Sequence, residues 1–128
     1  MGTQQLMLVI LGVILVGIAI AVGISTFEAQ SIRSNLDAMT NDMNHIAANA
    51  YQFKLRPAKL SGGDGYYSLY EIPPGLASNA NATYTIEEKS RNEIVFLGTS
   101  AIDPANTITA TINTEGVLGG WTYTGAFQ

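Results

Sequence analysis

The chain has no cysteine, which removes disulfides, thiolate metal sites and thiol nucleophiles from consideration. It is also poor in charge, with six Lys and Arg against ten Asp and Glu in 128 residues, for a formal net charge of −4. Phosphate recognition depends on clustered cations whose counterion release supplies affinity; the basic residues here are scattered, so no nucleic-acid partner is expected. No proline precedes Pro57, and no ionisable side chain precedes Glu28. A Gly-rich phosphate loop, an HExxH pattern, a cluster of metal ligands and a serine in a nucleophile setting are all missing. The chain is therefore not expected to be an enzyme, and no metal or cofactor is implied.

Apolar side chains, by contrast, make up 47% of the residues, and they are unevenly spread. Leu6 to Ile24 is apolar without interruption. About 20 such residues in helix span roughly 30 Å, the thickness of a bilayer's hydrocarbon core. A cleavable signal peptide normally opens on a cationic stretch and has a shorter apolar core, whereas the first basic residue here is Arg33. The segment is therefore expected to be retained, with residues 1–26 acting as an assembly or membrane helix and residues 27–128 as a water-facing head. Gly12, Gly17, Ala19, Ala21 and Gly23 are small enough to let another helix approach closely.

Past this segment the pattern becomes one-sided. Ile32, Leu36, Met39, Met43, Ile46, Ala50 and Phe53 are spaced by alternating fours and threes, which is one face of a helix. Arg33, Asn35, Asp37, Asn41, Asp42 and Asn44 lie between them and are expected to face water. One helix is predicted from near the N-terminus to about Phe53, ending before Pro57, which disfavours helix at Arg56. Residues 27–53 would form its amphipathic half, packed on the subunit's own sheet.

Residues 54–128 read as β-rich. Ser61 to Gly65 is a turn by composition. Strands are predicted over Tyr66–Ile72, Thr83–Glu88, Glu93–Leu97, Thr107–Asn113 and Trp121–Phe127, with turns at Lys89–Asn92 and Gly116–Gly120. Thr107–Asn113 alternates Ile and Ala with Thr, the pattern of a half-buried antiparallel strand. The fold class expected is α+β: one long N-terminal helix, apolar in its first half, on a small antiparallel sheet.

Isolated motifs in the head have ordinary explanations. His45, the sole histidine, reads as a solvated helix residue rather than a proton switch. Glu87 and Glu88 are neighbours on a strand and read as a solvated strand end. Asp64 is one carboxylate in a turn and cannot supply the six to eight oxygens of a calcium site. The four Phe, six Tyr and one Trp suit a small β core. Asn81-Ala82-Thr83 matches the N-glycosylation acceptor pattern in a polar segment.

Met1-Gly2-Thr3-Gln4-Gln5 followed by Leu6 to Ile24 resembles the mature N-terminus of type IV pilins and related filament subunits. The likeness covers about the first fifty residues and the helix-then-sheet order. It implies a structural subunit of an extracellular helical filament at the cell surface. Such a subunit is held in the inner membrane before assembly, cut by a prepilin peptidase, N-methylated at Met1, and polymerised with its own copies by the pilus assembly machinery. The mature chain is then expected to start at Met1. In that family a glutamate usually stands fifth and pairs with a neighbour's N-terminal amine; Gln5 stands there instead, and its carbonyl can accept a hydrogen bond from an ammonium. Many members kink at a proline in the apolar helix, which is absent here, leaving Gly12, Gly17 and Gly23 as its weak points. Met1, Gln5, Gly12, Gly17 and Gly23 are thus the candidate assembly residues. Two other readings use the same sequence: a minor pseudopilin of a secretion or DNA-uptake apparatus, and a single-pass membrane-anchored binding module.

Overall fold

The computed structural model describes residues 2–128, so Met1 lies outside the described residues. Helix α1 runs over Thr3–Leu55 and is followed by a 3-10 turn (Ala58–Leu60), a short helix α2 (Pro74–Ala77), strands β1 (Ala82–Lys89), β2 (Ile94–Ser100), β3 (Thr107–Ile112) and β4 (Leu118–Tyr123), and a final 3-10 turn (Gly125–Phe127). The strands form one antiparallel sheet in the order β1-β2-β3-β4. The architecture is α+β, with the long N-terminal helix packed on the four-stranded sheet. Two compact units are distinguished, residues 1–33 and residues 34–128.

In the second unit, α1 buries Asn35, Met39, Met43, Ile46, Ala47 and Ala50. Met39, Met43, Ile46 and Ala50 are four of the seven stripe positions; Ile32, Leu36 and Phe53 are only half-buried. Asn35 and Ala47 lie at the two margins of this covered face, and Ile32 and Leu36 share its direction with less burial. Facing it are Tyr84, Ile94, Phe96, Ile108 and Ile112, each 2% exposed or less, and every fully buried large side chain of this kind contributes about 1.5–3 kcal/mol. These strand residues alternate with outward ones because successive side chains in a strand point to opposite faces.

The expected strand at Tyr66–Ile72 does not form. Tyr67 and Tyr70 are both buried three residues apart, which is a turn's spacing and not a strand's two. Tyr70 N–H closes a turn onto Tyr67 O at 2.9 Å, and the phenols reach out to Asn113 O (2.7 Å) and Asn49 Oδ1 (2.9 Å). The last strand also begins earlier and ends earlier than expected, at Leu118 and Tyr123, with Phe127 buried from the 3-10 turn that follows. In the Ser61–Gly65 turn, Gly62 and Gly63 are required by close approach: a Cβ would lie 2.2 Å from Arg56 O and 1.9 Å from Tyr66 O.

Candidate assembly segment and the polar junction of the head

The apolar half of α1 is uncovered on every side. From Leu6 to Ile24 each large apolar side chain is exposed by at least half, from 52% at Leu11 and Ile14 to 68% at Val13. This part of the helix is long and apolar enough to cross a membrane. Gln5 is exposed at its start, where its N–H bonds Gly2 O at 3.2 Å. A Cβ built on Gly12, Gly17 or Gly23 meets nothing within 4 Å. Bulk at these three positions therefore creates no clash within a single chain.

The head is closed by a set of polar contacts centred on Asp42, a residue the helical pattern placed toward water. Its carboxylate is half-buried and accepts hydrogen bonds from Tyr84 Oη at 2.7 Å, Asn79 Nδ2 at 2.8 Å and Asn81 Nδ2 at 3.5 Å. Burial pushes the carboxyl pKa up, but these three donors together with the nearby His45 outweigh it and hold the group below its ordinary 3.8. The Tyr84 phenol is raised in turn, first by burial and then by the hydrogen bond to Asp42 and its charge.

Asn35 is the second polar residue that departs from the expected outward position. It is 6% exposed, donates from Nδ2 to Asn81 O at 3.1 Å and accepts from Ser100 Oγ at 2.6 Å. One helical face thus carries both the Met39/Met43 core contacts and two polar anchors, Asn35 and Asp42, seven residues apart. Every buried side-chain nitrogen and oxygen among the described residues has a partner, as interior polar groups require. Sequence spacing offers one clue to this: 35, 39, 42 and 46 form the same alternation of fours and threes as the apolar stripe.

Asn81 joins this junction at both ends. Its backbone O accepts from Asn35 and from Ala101 N–H, and its side-chain amide, the atom a glycan would occupy, faces Asp42. At the opposite end of the head, Lys54 donates to Thr114 O and lies 5.3 Å over the Tyr67 ring and 5.8 Å over the Tyr51 ring. That contact pins the β3–β4 turn to the last turn of α1.

His45, Asp64, Glu87 and Glu88 are all exposed. No group of three or more metal-ligating side chains occurs among the described residues. A hollow of about 290 Å³ is lined by Asn49, Phe53, Arg56, Leu69, Tyr70, Glu71 and Pro73. Ligand pockets usually span about 300–1,000 Å³, so it is at their lower limit. Comparisons with protein-family models, with curated proteins and with solved structures found no match.

Proposed function

We propose that this chain is a structural subunit of a type IV pilus-like helical filament, which waits in a membrane and then polymerises through residues 6–24. The observation that carries the reading is the contrast within one helix: Leu6 to Ile24 is exposed all round, whereas from Asn35 onward one face is covered by the chain's own sheet. A helix apolar on every side must be surrounded by apolar matter. Lipid serves before assembly, and copies of the same segment serve in a filament.

Moving such a helix from lipid into a bundle gains little hydrophobic free energy, because both surroundings are apolar. Packing and polar contacts then decide the outcome. Gly12, Gly17 and Gly23 would let neighbouring helices approach, and the Gln5 carbonyl would accept a hydrogen bond from the N-terminal amine of an adjacent copy. An amine entering that core without a partner would cost several kcal/mol. Processing by a prepilin peptidase, N-methylation at Met1 and extrusion by an assembly machine to the cell surface belong to the same proposal.

Filament yield from cells at matched subunit levels tests it. Gln5→Leu and Gly17→Leu should each reduce filaments while the head melts as in the parent chain, since both positions are exposed and a Cβ on Gly17 meets nothing within 4 Å. Gln5→Glu should assemble. Full yields from both Gln5→Leu and Gly17→Leu would make the segment a membrane anchor only, the arrangement of a binding module.

A further inference from the structure

We infer that the outer edge of β4 pairs antiparallel with β4 of a second copy, joining filaments side by side. The lateral role rests on the filament reading above; the pairing itself does not. The sheet has two edges and treats them differently. Along β1, the Ser78–Thr83 bridge and the Asn79 N–H to Ala82 O bond at 3.0 Å cover the start, Glu87, Glu88 and Lys89 charge the end, and a bulge falls between Ile86 and Glu88. Such devices are what keep a sheet edge from pairing. Along β4, no described element pairs with the outer side.

Three observations make a second copy the occupant. First, the backbone is ready for it. Thr124 N–H bonds Thr107 O and Asn113 N–H bonds Val117 O, so by antiparallel alternation Tyr123 and Leu118 turn their N–H and C=O groups outward. Second, the core beneath this edge is incomplete. Leu118, Trp121 and Tyr123 are half-buried, whereas the large residues of β2 and β3 on the same face are fully buried. A further strand would cover them.

Third, no charged side chain occurs from Val117 to Gln128, so two acidic chains can meet here without like-charge repulsion. Antiparallel pairing of a strand with its own copy is self-complementary about a two-fold axis, the commonest symmetry between identical chains. The edge does carry one interruption, a bulge opposite Thr109–Thr111 with Gly120 at φ 62°. The paired stretch is therefore short and buries far less than the roughly 1,200 Å² of a stable interface. Single copies should pair weakly. Filaments presenting the edge at every subunit would pair strongly, because each contact raises the effective concentration of the next.

Trp121 is the only tryptophan and reports on the edge directly. Its emission is measured on the full chain in mild detergent across a concentration series, and filaments sheared from cells that express the chain are imaged by negative stain. The expected result is a blue shift with rising concentration and bundled filaments. Thr122→Lys, which places a charge on the edge, should abolish the shift and leave dispersed filaments, whereas the uncharged Thr122→Val should behave as the parent. A concentration-independent spectrum, or bundles that survive Thr122→Lys, would overturn the inference. A concentration-dependent shift without any filaments would uphold strand pairing and refute the filament reading instead.

Discussion

Removing the Asp42 carboxylate should loosen the head, and the size of the effect follows from its contacts. Asp42→Ala deletes hydrogen bonds from Tyr84, Asn79 and Asn81, and strands the Tyr84 hydroxyl, whose residue is only 2% exposed. A hydrogen bond to a charged group contributes about 1.5–3 kcal/mol, and leaving a buried donor unmade costs about 1–3 kcal/mol. These overlap, so the net loss should be about 2–4 kcal/mol, a large part of the roughly 5–15 kcal/mol that holds a small domain together. For a unit of this size that corresponds to a fall in melting temperature of roughly 10–25 °C. Asp42→Asn keeps an acceptor and should cost about 1 kcal/mol.

The double variant Asp42→Ala/Tyr84→Phe should melt higher than the sum of the single losses predicts, because it removes the stranded hydroxyl together with its acceptor. The pH dependence has a definite sign. The folded pKa of Asp42 lies below 3.8, so its contribution is present above that value and is lost as pH falls through the folded pKa. Near-UV circular dichroism of the full chain in mild detergent, melted at neutral pH and below pH 3.8, provides the assay. Unchanged melting of Asp42→Ala, or strict additivity in the double variant, would refute the reasoning.

Three other outcomes are expected. Gly116→Ala should destabilise the head by more than about 1 kcal/mol, because Gly116 has φ 81° and a Cβ there would lie 2.6 Å from the Tyr51 ring; thermal melts check it. Met43→Asp should unfold the head, Leu36→Asp should only weaken it and Asp37→Ala should barely matter, in the order of their burial, as read by chemical denaturation. Burial pushes Tyr67 and Tyr70 up to about 12, helped for Tyr67 by Tyr51. Because the folded values exceed the ordinary 10, this stabilisation is full below pH 10 and is lost as pH rises toward 12, so ultraviolet titration should show late ionisation coinciding with unfolding.

The long helix was legible in the chain itself. Its apolar half needs only an unbroken run such as Leu6 to Ile24, and its amphipathic half needs only recurring apolar positions, so both are properties of local order. Two of the strands are readable for the same reason, since alternation in Thr83–Glu88 and Thr107–Asn113 reports which residues share a face, and the apolar run Ile94-Val95-Phe96-Leu97 marks a third. The candidate assembly residues Gln5, Gly12, Gly17 and Gly23 came from the N-terminal pattern, and a single folded chain presents them without a partner helix against which to weigh them.

Tertiary packing alone decided the rest. Whether an asparagine or aspartate on a helix faces water depends on the partners that arrive from elsewhere, and for Asn35 and Asp42 these come from residues 37 to 65 positions away. Tyr67 and Tyr70 look like strand residues by type, yet they turn inward at a spacing of three because their hydroxyls find acceptors on α1 and beyond β3. Periodicity records the polarity of each position. It does not record the hydrogen-bond partner that makes burying a polar one favourable, and that partner exists only once the sheet has folded onto the helix.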